Sequence, residues 1–588
     1  MPFLIWLHLA ERLKKNYRLI IVSLFPVILY FVNRDWVLYD NPYGTMIDPW
    51  LYNGYFLNFG HYYQMFGQTY YGDRISWILP GYILHHILPP LYANAALHLI
   101  FSVISIASLY LILKITVDER SALVASIAMG AYPYFIRELG SNYLTGGIIT
   151  YLLLTFLMIT LVLISPHERI FPCLGGIFFA FAIYTNFFTV LFAPFILAYC
   201  FIINKKIGRN PYVSIGYFVG GFLLSSAVFG IIFFFLTKNP LFFSAQLRNS
   251  VYYLTITNNQ WFIPIQTWYY RGYWLIMPVF IFITSLLYLL IVKMKKIKIT
   301  NYFISFFQII FISIFLLYVL LNFRNIPALQ LQYYTDQLIP FIFLAFGSQI
   351  YFILKNMKEN QLNIFLLFWM TVLVLPFAFA QYSPLYMIFS GNTTFIQMII
   401  ISICIVTLIV YLVGHRKESN FGVIAFSILL VLLLFFFYTI PENNESYVRF
   451  SINNPDSYEN GYLAVIDSVH TIEATIPQGN LIKFWYNASE RRENYYYGGI
   501  FNNINSMYLW GYTWIGRDFP TIEKKNVDNL KNNLHNTLIV ILTTNEDGYQ
   551  LAQKSLNDLG YSPKLLRTIP INRGHIQFNC IFIRIESS

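Results

Sequence analysis

Charge is scarce in this chain. Only 11% of its 588 residues are Asp, Glu, Lys or Arg, where a soluble protein carries about 25%. With 57% hydrophobic residues and a mean hydropathy of +0.56, the composition is that of a polytopic membrane protein. Cysteine is nearly absent too. Cys173, Cys200 and Cys404 lie inside apolar runs and Cys580 stands alone in the polar tail, so neither a disulfide framework nor a metal-ligand spacing follows. No GxxxxGKS/T and no strand-borne GxGxxG occurs. The basic turns are too short for a nucleotide-binding domain, which argues against an ATP-driven pump. The formal net charge of +11 forms no nucleic-acid stripe either. Outside the C-terminal region most Lys and Arg sit in short turns between apolar runs, the positive-inside pattern.

What the chain has in quantity is long apolar segments. A span takes about 20 apolar residues, and that rule predicts thirteen, near 18–33, 92–113, 120–136, 143–164, 170–186, 187–204, 212–236, 272–292, 302–322, 337–354, 362–381, 395–413 and 420–440. The pair within 170–204 meets at a short YTNFF turn. The N-terminal ERLKKNYR and the LIIVSLFPVILYFV after it are basic and then apolar, without a small-residue cleavage site, and read as a retained signal anchor. With the N-terminus cytoplasmic, eighteen Lys and Arg fall in inside turns and seven in outside loops, which sets the orientation. The odd span count then puts the C-terminal region outside, on the same side as loop 33–91.

From Pro441 the composition becomes that of a soluble protein. The chain therefore divides into a transmembrane part, 1–440, and an α/β domain, 441–588. Strands are predicted at GYLAVID, NLIKFWYN, NSMYLWGYT, TLIVILTT and FNCIFIRI, and a helix at DGYQLAQKSLNDLGY.

Loop 33–91 collects Asp35, Asp40, Asp48, Asp73, Arg34 and Arg74 among Trp, Tyr and Gly. Acids beside a bilayer are costly unless solvated, paired or catalytic, so the cluster is a candidate site. Asp48, with Trp50 and Tyr52 in MIDPWLY, supports two compatible readings. One is a partly desolvated carboxylate of raised pKa, suited to act as a base. The other is a helix N-cap followed by Pro49. Asp40, in YDNPYG, is first a turn residue and second a candidate acid. Asp73 and Arg74 precede ISWILPGYILHHI, read as a short amphipathic or re-entrant helix. A guanidinium there suits a lipid phosphate, the alternative being a local Asp73–Arg74 pair or snorkelling. Arg137 and Glu138 end the third span at the outer face. Arg271 flanks an external loop rich in Asn, Gln, Trp and Tyr, and Arg324 with Tyr333, Tyr334 and Asp336 of LQYYTDQLIPF marks the outer ends of the ninth and tenth spans. Such rings and amides suit sugar recognition and equally an interfacial aromatic belt.

Together these pieces resemble the GT-C superfamily, integral-membrane glycosyltransferases that use polyprenyl-phosphate sugars. Asp48 in IDPWLYNGY resembles the acidic motif of their first external loop. Asp73-Arg74 with RISWILPGY resembles the segment that contacts the donor phosphate in lipid A aminoarabinose transferases and protein mannosyltransferases. Arg324 with LQYYTDQLIPF is similar to their Arg-Tyr-Pro segment before a late span. There are departures. The usual Asp-Glu pair is Asp48-Pro49 here, so a second acid has to come from elsewhere, with Glu138 and Asp40 as candidates. Asp-Pro-Trp is also similar to the first motif of oligosaccharyltransferase catalytic subunits. Their Trp-Trp-Asp-Tyr-Gly signature is absent, since Trp510-Gly511-Tyr512-Thr513-Trp514 lacks the Asp.

The resemblance implies an α-helical polytopic fold of about thirteen spans with a soluble C-terminal α/β domain. It implies inverting transfer of a sugar from a polyprenyl-phosphate donor to a lipid, glycan or protein acceptor at the outer face of the membrane. Asp48, Glu138 and Asp40 are then the candidate catalytic acids. Arg74, Arg271, Arg324 and Asp73 belong to the donor phosphate, and Trp50, Tyr52, Tyr333 and Tyr334 to the substrate. A divalent metal stays open as an aid. The expected location is a bacterial inner membrane with a periplasmic C-terminal domain. The rivals are an oligosaccharyltransferase, a polysaccharide polymerase or ligase, and a transporter. A transporter would call for internal repeats and mid-membrane polar residues, whereas here the charges cluster at the outer face and no repeat is seen.

Overall fold

The computed structural model describes residues 17–28, 47–165, 169–255, 273–294, 301–324, 326–354, 458–476, 481–492, 496–528 and 537–586. The three segments expected near 362–381, 395–413 and 420–440, together with Asp40 and Arg271, lie outside these residues.

The described part is mostly helical. In chain order the helices are α1 (Tyr17–Ile28), α2 (Asp48–Phe66), α3 (Ile75–Ile87), α4 (Pro90–Thr116), α5 (Glu119–Gly130), α6 (Pro133–Leu139), α7 (Thr145–Leu161) and α8 (Ile170–Thr185). A 3-10 turn, Phe187–Phe192, leads into α9 (Ala193–Lys206), and α10 (Pro211–Thr237), α11 (Ser244–Thr255), α12 (Ile276–Met294), α13 (Tyr302–Phe323) and α14 (Ile339–Leu354) follow. Pro90–Thr116, Phe187–Lys206, Pro211–Thr237 and Tyr302–Phe323 are long and apolar enough to cross a membrane. Tyr17–Ile28, Thr145–Leu161, Ile170–Thr185 and Met277–Leu290 are shorter apolar helices. This is the build of an integral membrane protein.

The segment expected as one span near 120–136 is two helices instead. Asp118 caps the first, accepting from the backbone N–H groups of Arg120 at 2.7 Å and Ser121 at 2.9 Å. The helix stops before Pro133, which lacks a donor and pushes the residue ahead of it out of the helical region; Tyr132 has φ −72°, ψ 122°. Helices α8 and α10 touch backbone to backbone. Gly176 faces the Phe218 carbonyl and Gly221 the Cys173 carbonyl, so a Cβ at either would collide; small residues permit this approach inside a bilayer. Helices α12, α13 and α14 are joined by amides and hydroxyls. Gln308 donates to the Ser348 hydroxyl (2.6 Å) and the Ala345 carbonyl (2.8 Å) and accepts from Ser285. Gln349 donates to Gln308 (2.9 Å) and to Ser285 (3.0 Å).

The C-terminal part is a five-stranded sheet with helices. Strands β1 (Leu481–Tyr486), β2 (Trp514–Gly516), β3 (Thr537–Thr543), β4 (Ser562–Arg573) and β5 (Ile576–Glu586) lie in the order β2-β1-β3-β5-β4. Strand β1 is parallel to β2 and β3, and the β3–β5 and β4–β5 pairs are antiparallel. Helices α15 (Tyr458–Thr475), α16 (Tyr497–Ser506) and α17 (Gly548–Asp558) accompany it.

Three strand expectations hold, at NLIKFWYN, TLIVILTT and FNCIFIRI, as does the α17 helix. GYLAVID, however, is helix, part of α15. Buried Tyr462, Val465, Ile466, Val469 and Ile472 keep helical spacing over a length that a seven-residue window hides. NSMYLWGYT is also not a strand. It finishes α16, turns at Leu509 with φ 59°, and makes one helical turn, Trp510–Thr513, before β2. Strand β4 escapes sequence reading because it is a mostly exposed edge strand carrying two prolines.

Helix α16 docks on α2. The Tyr62 hydroxyl donates to the Met507 carbonyl, and Gly54 lets that same carbonyl approach α2, where a Cβ would collide with it.

Candidate functional site

The site is built on the first turn of α2 and on the turn that leads into α3. Asp48 is the first residue of α2, but it does not cap the helix. Ile47 holds the cap position, and no side chain among the described residues caps this end. Asp48 accepts a hydrogen bond from the Tyr71 hydroxyl instead. Burial of the carboxyl raises its pKa above the ordinary carboxylate range, against the charge of Arg74 and the Tyr71 hydrogen bond.

The turn carrying Arg74 is pinned from several sides. The Thr69 hydroxyl accepts from the Gly72 backbone at 3.0 Å and pairs with the Tyr55 hydroxyl at 2.7 Å, while the Tyr63 hydroxyl donates to the Gly72 carbonyl. The Arg74 carbonyl accepts from the Trp77 and Ile78 N–H groups, both at 3.0 Å, as α3 begins. Backbone fixed in this way leaves the guanidinium little freedom. It is only 2% exposed and lies 4.2 Å from the Tyr70 ring centre, 5.6 Å from Tyr52 and 5.8 Å from Tyr71. Its Nε has no hydrogen-bond partner among the described residues. Burial works against its charge, and the Asp48 carboxylate lies within electrostatic reach to support it, with Tyr143, Tyr333 and Tyr334 nearby.

These tyrosines form a wall. Ring centres are 6.4 Å apart for Tyr52–Tyr143, 5.5 Å for Tyr143–Tyr333 and 4.7 Å for Tyr333–Tyr334. Tyr52, Tyr333 and Tyr334, singled out from sequence, thus stand around Asp48 and Arg74. Tyr70, Tyr71 and Tyr143 belong to the same wall and sequence reading missed them. For the first two the signal was available, since YYGDR sets them beside Arg74.

Asp73 turns away to another element. Its Oδ2 accepts the Gln246 N–H at 2.8 Å, and Ala245 and Gln68 also hydrogen-bond its carboxyl. It thereby caps α11 from a different part of the chain. Gln68 strengthens the link, donating to the Leu241 carbonyl and accepting from Asn239, both at 2.8 Å. Burial lifts the Asp73 pKa to about 7.

Glu138 hydrogen-bonds Asp336, not Asp48. Both carboxyls are buried, and the pKa of each is raised by that burial, Asp336 further by the charge of Glu138; such a pair holds one proton between them. Thr145 also bonds Glu138, Gln332 donates to Asp336 at 3.2 Å, and Arg137 donates to Gln332 at 2.6 Å. The pair stands behind Tyr333 and Tyr334 and ties their segment to α6 and α7. Arg324 is exposed at the C-terminal end of α13. Trp50 is fully buried on the other side of α2, against Tyr462 of α15, ring centres 5.5 Å apart. Among the described residues no group of three His, Cys, Asp or Glu side chains is placed to hold a metal ion.

A buried, tyrosine-lined arginine beside an enclosed carboxylate can hold an anionic oxygen group and take a proton from a neighbouring hydroxyl.

No protein-family model matches the sequence, and no curated protein matches it. Among solved structures the chain is similar to ArnT from Cupriavidus metallidurans bound to undecaprenyl phosphate, with 10% identity over 96% of this chain and 98% of that one and a TM-score of 0.38. It is similar to the oligosaccharyltransferase of Archaeoglobus fulgidus in the apo form, with 12% identity over 93% of this chain and 72% of that one and a TM-score of 0.45. It is also similar to the oligosaccharyltransferase AglB from the same organism, in complex with an inhibitory peptide and a dolichol-phosphate. There the identity is 14%, the coverage 92% and 60%, and the TM-score 0.30.

Proposed function

We propose that this protein is a membrane glycosyltransferase that moves a sugar from a polyprenyl-phosphate donor to an acceptor hydroxyl at the outer face of the bilayer, with inversion. The observation that carries the reading is Arg74. It is a cation whose Nε has no partner among the described residues, buried among tyrosines within electrostatic reach of the Asp48 carboxylate. A buried charge is costly to keep without a partner, and a lipid phosphate supplies one with matching planar geometry. The motif resemblance of IDPWLYNGY and DRISWILPGY points the same way.

In this mechanism the phosphate of the donor lies on the guanidinium. Asp48 takes the proton of the acceptor hydroxyl while its oxygen forms a bond to the anomeric carbon. The bond from that carbon to the phosphate oxygen breaks on the opposite face, and the electron pair leaves on polyprenyl phosphate. Arg74 balances the charge that develops there, the kind of stabilisation that is usually the largest single contribution. The tyrosine wall excludes water, so the sugar is handed to the acceptor and not hydrolysed. With the site on the side set by the positive-inside pattern, the sheet-bearing C-terminal part lies outside the cell membrane, and lipid, glycan or protein all remain suitable acceptors.

The test is release of lipid phosphate by the purified full-length protein from a panel of undecaprenyl-phosphate monosaccharides, wild type beside Asp48→Asn. Release by the wild type that the variant loses supports the reading. Wild type and variant releasing equally, or turnover only with oligosaccharide pyrophosphate donors, overturns it.

A further inference from the structure

Across α2 from Arg74 lies a second set of buried polar groups that the transfer chemistry leaves unused. Residues 48 and 52 are about one turn apart and share a face, and residues 50 and 53 point to the other side. There Asn53 of α2, fully buried, and Asn94 of α4, 1% exposed, both donate their carboxamide nitrogens to the hydroxyl of Tyr462 in the C-terminal part, Asn53 at 3.4 Å. The Trp50 indole lies against the Tyr462 ring. Three atoms around this junction are buried without a hydrogen-bond partner among the described residues: Asn53 Oδ1, Asn94 Oδ1 and Trp50 Nε1. Each oxygen belongs to a carboxamide whose nitrogen already grips Tyr462, so both stand close to that hydroxyl.

A buried polar atom without a partner costs about 1–3 kcal/mol, and three gathered at the Trp50–Tyr462 contact make a donor and acceptor set in search of a ligand. The set is neutral. Two carbonyl oxygens repel an anion, and a single indole N–H with two acceptors matches adjacent hydroxyls, which both donate and accept.

We infer that Trp50, Asn53, Asn94 and Tyr462 form a subsite for sugar hydroxyls, completed by the C-terminal domain. The inference deepens the transferase reading and rests on it for the origin of the sugar, donor headgroup or acceptor glycan.

The experiment uses the full-length protein in lipid nanodiscs, as wild type, Asn94→Leu and Tyr462→Phe. Saturation-transfer NMR with methyl mannoside, methyl glucoside and N-acetylglucosamine reports free sugar. Binding of undecaprenyl phosphate and of undecaprenyl-phosphate mannose and glucose reports the lipid arm. The wild type is expected to favour sugar over the variants by about tenfold, the worth of one lost hydrogen bond. Bare undecaprenyl phosphate should bind all three proteins alike, which shows that the variants are folded. A difference confined to free sugars identifies an acceptor subsite, and one confined to the lipid-linked sugars a donor subsite. Equal sugar binding by wild type and variants, or no sugar binding by any, overturns the inference and leaves a water-filled junction. Loss of bare undecaprenyl phosphate binding in the wild type, with free sugar still bound and still lost in the variants, overturns the phosphate reading alone.

Discussion

The Arg74 guanidinium lies 4.2 Å from the centre of the Tyr70 ring, and its Nε has no partner among the described residues. The ring holds the cation in place while leaving hydrogen-bonding capacity for an incoming anion. Arg74→Lys is therefore expected to keep the charge and still lose affinity for undecaprenyl phosphate by about tenfold or more, because an ammonium cannot make the planar paired contact. Arg74→Gln should lose more. The check is a binding isotherm for the lipid phosphate with each variant; an Arg74→Lys value equal to wild type would remove the role of planarity.

Asp48 acts as a base only when ionised, and burial raises its pKa. The acid limb of the kcat/KM profile is accordingly expected above the ordinary carboxylate value of about 4. Asp48→Asn should lower turnover about 10²–10⁴-fold while leaving donor binding in place. A profile flat down to pH 4 would contradict the assignment.

Asp73 makes a stability prediction with a definite sign. Its folded pKa is about 7, above the unfolded value of about 4, so the folded protein binds more protons across that window. Its contribution is full below about pH 4 and is lost as pH rises toward about 7. Asp73→Asn keeps an oxygen for the Gln246 N–H and removes this dependence. Thermal midpoints of the two proteins between pH 4.5 and 8 should diverge, the wild type falling relative to the variant as pH rises. Parallel curves would refute the buried, titrating carboxyl.

Asp48 and Arg74 could each be singled out from sequence because both lie within one polar stretch between apolar runs, in motifs of a few residues each. The partner of Glu138 was beyond that kind of reading. Asp336 comes from a distant loop, and only the packing of α6 and α7 against the turn before α14 brings the two acids together. Tyr143 likewise joins the wall through the path of the chain after Gly140, which no local pattern reports. In the C-terminal part, β1, β3 and β5 announced themselves as buried apolar runs. Helix α15 did not, because its helical period emerges only over the whole of Tyr458–Thr475.

Gly54 gives a mechanical test of the contact between α2 and the C-terminal part. A methyl group there meets the Met507 carbonyl, so Gly54→Ala should force α16 off α2 at a cost of about 1–3 kcal/mol. It should also lower turnover, since α2 carries Asp48. Unfolding curves and initial rates measure the two effects; unchanged values for both would mean the interface yields freely.

The Glu138–Asp336 pair predicts an asymmetry between polar and apolar replacement. Asp336→Asn still donates to Glu138 and accepts from Gln332, and should leave stability within about 1 kcal/mol of wild type. Asp336→Leu strands the Glu138 carboxyl and should cost about 1–3 kcal/mol. Denaturation of the two variants side by side decides it, and equal losses would show that the hydrogen bond between the acids contributes nothing.

The amide and hydroxyl network of Gln308, Ser285, Ser348 and Gln349 has a consequence for how the protein is made. Helix α13 emerges during synthesis carrying a carboxamide, Gln308, two turns in from its start, that lipid cannot satisfy. Its partners on α12 are already in hand, whereas those on α14 have yet to be translated. The three helices should leave the insertion machinery together, with α13 held at its protein-lined exit until α14 arrives.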